Sequence, residues 1–139
     1  MVNNNEYYLG LIDAQSICRI EKVLQYLTNL HIDYNVWYHP PLPTIEEALE
    51  YWKDMPGTHC KNLFFRNHKG NRHYLVIFEC HKELDVKNLE QKLKQGKISF
   101  ASPPRMEKYL GVTPGSVTPF GLLNDHEKHV KVFIDKDLK

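Results

Sequence analysis

From Gln15 to Leu30 the apolar residues Ile17, Ile20, Val23, Leu24, Leu27 and Leu30 recur at intervals of three and four, a spacing that lines one buried face of an α-helix. Ile32 to Tyr38 is instead rich in β-branched and aromatic residues and stops at His39-Pro40-Pro41, where consecutive prolines remove ladder donors. A strand followed by a turn is expected there. Thr44-Ile45-Glu46-Glu47 fits a capping box that starts a short helix through Trp52.

Two further β-rich runs, Cys60 to Arg66 and His73 to Cys80, are separated by Asn67-His68-Lys69-Gly70-Asn71, which holds the turn residues of an antiparallel hairpin. Asp85 is placed to cap a helix with Val86, Leu89 and Leu93 on one face, ended by Gly96. Ile98 to Ala101 has strand character, and Pro103 or Pro104 opens a helix from Arg105 to Leu110 that Gly111 closes. A Gly/Pro-punctuated segment, Gly111 to Asn124, leads to a terminal strand, Val130 to Ile134. Helices interspersed with hairpin-like strands argue for an α/β fold of the α+β type, with a mixed, mostly antiparallel sheet or barrel flanked by helices. A doubly wound parallel sheet is disfavoured.

At 139 residues with 42% hydrophobic content, the chain can form the core of one compact domain, residues 1–139. No stretch approaches the roughly 18 apolar residues of a membrane span, and Met1-Val2-Asn3-Asn4-Asn5-Glu6 lacks the basic and apolar regions of a signal peptide. Three widely separated cysteines, Cys18, Cys60 and Cys80, suggest no disulfide framework. A soluble protein of the reducing cytoplasm without membrane partners is expected, with Cys18 and Cys80 as small core residues. The net charge of +1 cannot hold a polyanion by bulk attraction, so any nucleic-acid contact must be local, through clustered Lys and Arg.

Two segments invite a chemical reading. Lys61 and Asn62 stand at the mouth of a strand, where a lysine can meet a phosphate or a carbonyl, or can simply discourage edge pairing. The segment from Gly111 to Asp125 combines small residues with prolines, so it can aim main-chain N–H groups at an oxyanion or serve as a structural turn. His126 and His129, at i and i+3, could share a cation only on one helical face, and no second ligand pair accompanies them. Asp125-His126-Glu127-Lys128-His129 is better suited to a solvated loop. Neither a metal nor another cofactor is expected. Cys60 and His59, adjacent on a strand, point to opposite faces and make a poor nucleophile pair.

Gly57 with Cys60-Lys61-Asn62-Leu63-Phe64, then Leu110-Gly111-Val112-Thr113-Pro114-Gly115-Ser116-Val117-Thr118-Pro119-Phe120-Gly121-Leu122, resembles the YbaK/prolyl-tRNA-editing-protein family, aminoacyl-tRNA-synthetase-associated domains. His39-Pro40-Pro41 with Thr44, Glu46 and Glu47 is similar to the family's early segment, and the subgroup it looks most like is the free-standing alanyl-tRNA(Pro) deacylases. The resemblance implies a trans-acting editing hydrolase that cleaves the ester of mischarged tRNA(Pro), with prolyl-tRNA synthetase as a further partner and no DNA. Lys61 takes the place of the family's essential lysine, and Gly115 that of the Gly of a Gly-x-x-x-Pro loop. Asn62, Ser116, Val117, Thr118, Pro119, Phe120 and Gly121 are implied to line the substrate. Water attack assisted by a substrate hydroxyl would need neither a Ser-His-Asp triad nor a metal. Lys87, Lys92, Lys94 and Lys97 are candidates for an acceptor-stem patch, against the plainer reading of a solvated helix face.

The family pattern continues beyond the strand matching Val130 to Ile134 into a His-Pro strand and a last helix. With Lys139 as the last residue, the domain is expected to lack both, together with a functional histidine for which His126 and His129 are no match. Two alternatives therefore stand beside alanyl-tRNA(Pro) deacylation: a catalytically impaired module that binds the tRNA end or aminoacyl group, and a cysteinyl-tRNA(Pro) deacylase.

Overall fold

The computed structural model describes residues 2–3 and 14–138. Most of the opening segment Met1 to Glu6 therefore lies outside the described residues. The chain divides into two compact units, Met1–Met55 and Pro56–Lys139.

In the first unit β1 (Val2–Asn3) pairs in parallel with β2 (Val36–Trp37), and α1 (Ala14–Asn29) and α2 (Ile45–Trp52) supply the helices. Helix α1 ends without glycine: His31 takes a left-handed conformation (φ 55°), Ile32 N–H donates to Leu27 O and His31 N–H to Thr28 O. That bond pair is a Schellman stop. It shortens the strand expected from Ile32, leaving Ile32 and Tyr34 exposed and only Val36–Trp37 in a ladder. The apolar face of α1 is half-buried, and Leu30 and Cys18 are exposed, contrary to the expectation of core positions. Helix α2 begins as its sequence dictates, with Glu47 N–H donating to Thr44 Oγ1 and the Glu47 carboxylate accepting from Thr44 N–H.

The second unit is built on a long hairpin, β3 (Cys60–Arg66) and β4 (His73–Glu79), in register from Cys60↔Glu79 to Arg66↔His73. Short β5 (Ser99–Phe100) adds antiparallel to the far end of β3, and β6 (Lys131–Ile134) adds parallel to β4. The result is an open four-stranded sheet, order β5-β3-β4-β6, mostly antiparallel as the element pattern predicts.

Alternation along β3 and β4 builds two apolar layers. Phe64, Leu75 and Ile77 pack with Ala101, Leu110 and Val130 under α4 (Pro103–Leu110) and the 3₁₀ turn Pro119–Asn124. Phe65, Tyr74, Val76 and Phe78 pack on the other face with Ile98 under α3 (Val86–Leu93). Asp85 caps α3 as expected, but the helix stops at Lys94 in a left-handed conformation, two residues before Gly96. Pro103 and Pro104 open α4, and Gly111 (φ 64°) closes it. On β6, Val132, Phe133 and Ile134 are exposed.

Candidate active site

The mouth of β3 has an open edge. Cys80 N–H donates to His59 O, and Ala101 N–H to Phe64 O on the opposite side. Antiparallel pairing alternates, so Asn62 and Ile77 are a non-hydrogen-bonded pair and the main-chain N–H and C=O of Asn62 point away from β4. Strand β5 reaches only Phe65 and Arg66, so the main chain at Asn62 has no ladder partner on that side among the described residues.

The side chain of Asn62 lies on the Phe64 face of the sheet. Its Nδ2 donates to Val117 O at 3.3 Å, and its Oδ1 is buried with no hydrogen-bond partner among the described residues. A buried amide oxygen left in this state costs about 1–3 kcal/mol, and a ligand donor placed there would recover that cost. This one bond ties the strand mouth to the predicted loop, over 55 residues of sequence.

The loop is rigid at its root and open at its tip. Thr113-Pro114-Gly115-Ser116 forms a turn in which Ser116 N–H donates to Thr113 O, with Gly115 at φ 84°. Proline in the second place and a left-handed glycine in the third are the requirements of a type II turn. A Cβ on Gly115 would meet nothing within 4 Å, so the glycine is required by backbone conformation and open space lies before it. Gly121 differs: a Cβ there would stand 2.9 Å from both Leu110 O and Leu110 Cβ, so its place is set by packing. Thr118 Oγ1 accepts from Phe120 N–H and starts the 3₁₀ turn, in which Pro119 comes first and Phe120 is 46% exposed. Asn124 Nδ2 donates to Leu110 O and closes the root. The N–H groups of Gly115, Val117 and Thr118 have no partner among the described residues.

The structure thus brings Asn62 to the Val117–Thr118 side of the loop, with Gly115 and Ser116 at the exposed turn. It does not bring Lys61 to the same face. Cys60 and Phe64 belong to one apolar layer and Leu63 and Phe65 to the other, so alternation directs Lys61 toward the α3 face. Cys80 lies on that face; burial is the main cause of its raised thiol pKa, and the Lys61 charge pulls weakly the other way. Lys61 makes no ion pair among the described residues.

The histidine pair expected in a solvated loop is divided instead. His126 is exposed and the segment is not helical, while His129 is half-buried, stacked on Tyr109 at 4.5 Å. Its Nε2 is 2.8 Å from Nδ1 of His73, which is fully buried. His73 Nε2 lies 2.9 Å from Arg105 Nη1, and Arg105 also donates to Gly70 O at 2.8 Å. A guanidinium only donates, so His73 accepts from Arg105 and donates through Nδ1 to His129. Burial, aided by the charges of His129, Arg105, Lys108 and Arg66, lowers the His73 pKa from 6.5 to about 4. Sequence reasoning missed this network because its members are 32 and 56 residues apart. Cys60, the other reactive candidate, donates its thiol to Thr58 O, and burial raises its pKa, which makes it a poor nucleophile.

A shallow open depression formed by Thr28 and residues 31–35 lies in the first unit and contains none of the predicted site residues. Glu79, Cys80 and His81 offer three ligand atoms close together at the end of β4, where the Glu79 carboxylate is already bonded to His81 Nδ1 at 2.7 Å. Among the described residues no helix is long and apolar enough to cross a membrane.

Residues 39–139 match the aminoacyl-tRNA editing domain family. The chain is 42% identical over 118 residues to the prolyl-tRNA editing protein ProX of Acetoanaerobium sticklandii, covering 85% of this chain and 72% of that protein. It is 32% identical to prolyl-tRNA synthetase associated domain-containing protein 1 of Mus musculus over 80% of this chain and 66% of the mouse protein. A crystal structure of a proposed trans-editing enzyme for prolyl-tRNA synthetase superposes with a TM-score of 0.66 at 23% identity, over 91% of this chain and 76% of that one.

Proposed function

The chain belongs to the aminoacyl-tRNA editing domain family, and on that premise we propose that it is a trans-editing hydrolase of mischarged tRNA(Pro), with alanyl-tRNA(Pro) as its substrate. The observation that carries the site assignment is the bond from Asn62 Nδ2 to Val117 O. It ties the strand whose edge is open at Asn62 to the loop, and the unpartnered Asn62 Oδ1 and the free N–H groups of that loop support the reading. The editing domain is taken to span both compact units, since the family match starts at His39 and runs to Lys139.

The chemistry asks little of such a site. A missing methylene changes binding by only ~1–3 kcal/mol, so a synthetase built for proline also accepts the smaller alanine, and a second pocket must reject proline by size. The ester is already activated, so cleavage needs a positioned water and donors for the developing oxyanion. The N–H of Asn62 and those of Val117 and Thr118 are the donors offered here, and Asn62 Oδ1 is an acceptor for a substrate hydroxyl or amine. Gly115 leaves room at the turn for the aminoacyl end. Lys61 acts from the neighbouring face of the strand, where its four-carbon stem can carry the ammonium to a terminal phosphate. Prolyl-tRNA synthetase is the natural partner of this activity, and the cytoplasm, where tRNA is charged, is the compartment proposed for it.

Deacylation of alanyl-tRNA(Pro), prolyl-tRNA(Pro) and cysteinyl-tRNA(Pro) by the purified chain, against spontaneous hydrolysis, tests the proposal. Selective loss of alanine is expected, with Asn62→Ala slower by about tenfold. No acceleration for any of the three by a folded protein would overturn catalysis and leave a binding module.

A further inference from the structure

The total charge of +1 conceals two opposite surpluses. Residues 1–55 hold 3 Lys and Arg against 8 Asp and Glu, whereas residues 56–139 hold 15 against 9. Within the second unit the cations are unevenly placed. Three segments distant in sequence converge at the tip of the β3–β4 hairpin. Buried Asn67 organises the tip itself, its Oδ1 accepting from the N–H groups of Asn71 and Arg72 at 3.0 Å each. The turn after α3 lies against it, so close that a Cβ on Gly96 would stand 3.2 Å from His68 Cβ. Helix α4 is fixed to it by the bond from Arg105 to Gly70 O.

This packing gathers Lys69 and Arg72 from the tip and Lys94 and Lys97 from the turn, all four exposed and none in an ion pair among the described residues. Acidic side chains at this end include Glu90, whose carboxylate accepts from Ile98 N–H, Glu107 on α4, and Asp125, whose carboxylate accepts from the N–H groups of His129 and Val130. At the opposite end of the sheet Glu79, Asp135 and Asp137 gather, bonded to His81 and Lys82. Cations carried by two segments that are packed together, with α4 bonded to the same tip, suit a rigid polyanion, because little backbone freedom is lost on binding.

We infer that this hairpin-tip face docks the phosphate backbone of an RNA stem, with Lys69, Arg72, Lys94 and Lys97 as its contacts. The inference deepens the editing proposal and takes from it the identity of the polyanion as RNA. It regroups the four lysines first considered together on one helix. Lys94 and Lys97 belong to the tip, and Lys87 stands at the other end of α3. Asn62 and Arg66 lie four residues apart on β3, roughly 13 Å at the rise of a strand. An RNA held by its 3′ end at the mouth can therefore run along the hairpin onto this face.

The test is binding of a labelled, uncharged RNA hairpin with a single-stranded CCA end, measured over a salt series. Replacing all four residues by Gln should weaken binding at least about tenfold and reduce the slope of log K against log salt by about one per lost contact. Lys136→Gln, in the same unit but at the opposite end of the sheet, should change it less than about twofold. Equal loss in both variants, no loss in the fourfold variant, or equally tight binding of a DNA hairpin of the same sequence would overturn the inference. Hydrolysis of 3′-O-alanyl-adenosine separates this from catalysis: the fourfold variant should retain it while losing kcat/KM on alanyl-tRNA. If the wild-type chain hydrolyses neither substrate but binds RNA through the four residues, the docking face stands and the editing proposal fails.

Discussion

The two ends of the β3–β4 hairpin are built on opposite terms. At the tip, His73 is fully buried yet has a partner for each ring nitrogen, Asn67 bonds through both its amide oxygen and its amide nitrogen, and Arg105 joins a helix to the turn. At the mouth, a buried oxygen and the main-chain edge of Asn62 and the N–H groups of the neighbouring turn have no partner among the described residues. The His73–Asn67–Arg105 network at the tip is thus bonded, although Tyr74 Oη beside it is buried without a partner among the described residues, whereas the polar groups at the mouth stay open. Satisfied buried groups hold a structure together, whereas unsatisfied ones are tolerated where a ligand completes them.

The largest effect should come at the mouth and leave the fold alone. Lys61→Ala should reduce deacylation about 10³-fold, the scale of losing one charge-stabilising group, with an unchanged thermal transition. Near-normal turnover would remove Lys61 from the site.

Acid should act at the tip. The folded pKa of His73 is lowered from 6.5 to about 4, so the unfolded chain binds the proton more readily between those values. Stability is therefore full above about pH 6.5 and falls as pH drops toward about 4, by on the order of 3 kcal/mol. Urea unfolding of the wild type across this range should show the loss, and His73→Phe should flatten it. An unchanged slope in the variant would show that another group is responsible.

A smaller contrast separates the two glycines of one loop. Gly121→Ala should destabilise by about 2 kcal/mol, because its Cβ meets the backbone of Leu110. Gly115→Val should cost about 1 kcal/mol in conformational strain and act mainly on turnover, since nothing in the protein stands where the side chain would go. Equal stability of wild type and Gly121→Ala would mean that the loop root yields.

Most of the elements were legible because their signals are local. The capping box at Thr44, the hairpin strands and the proline-to-glycine span of α4 each depend on residues within one turn or one strand. Two boundaries were misjudged where a side chain other than glycine took the left-handed conformation, His31 after α1 and Lys94 after α3. Backbone bonds and packing there outweighed the usual preference for glycine.

The sequence by itself determined the alternation along β3 and β4, the family motifs and the mixed, mostly antiparallel sheet. Only the tertiary structure decided which residues share a space. It joined Asn62 to Val117 and His73 to His129 and Arg105, and it placed Lys61 on the other side of the strand from its neighbour. The physical reason is that periodicity and turn chemistry act over a few residues, whereas the partner of a buried polar group is chosen by the packing of segments far apart in the chain.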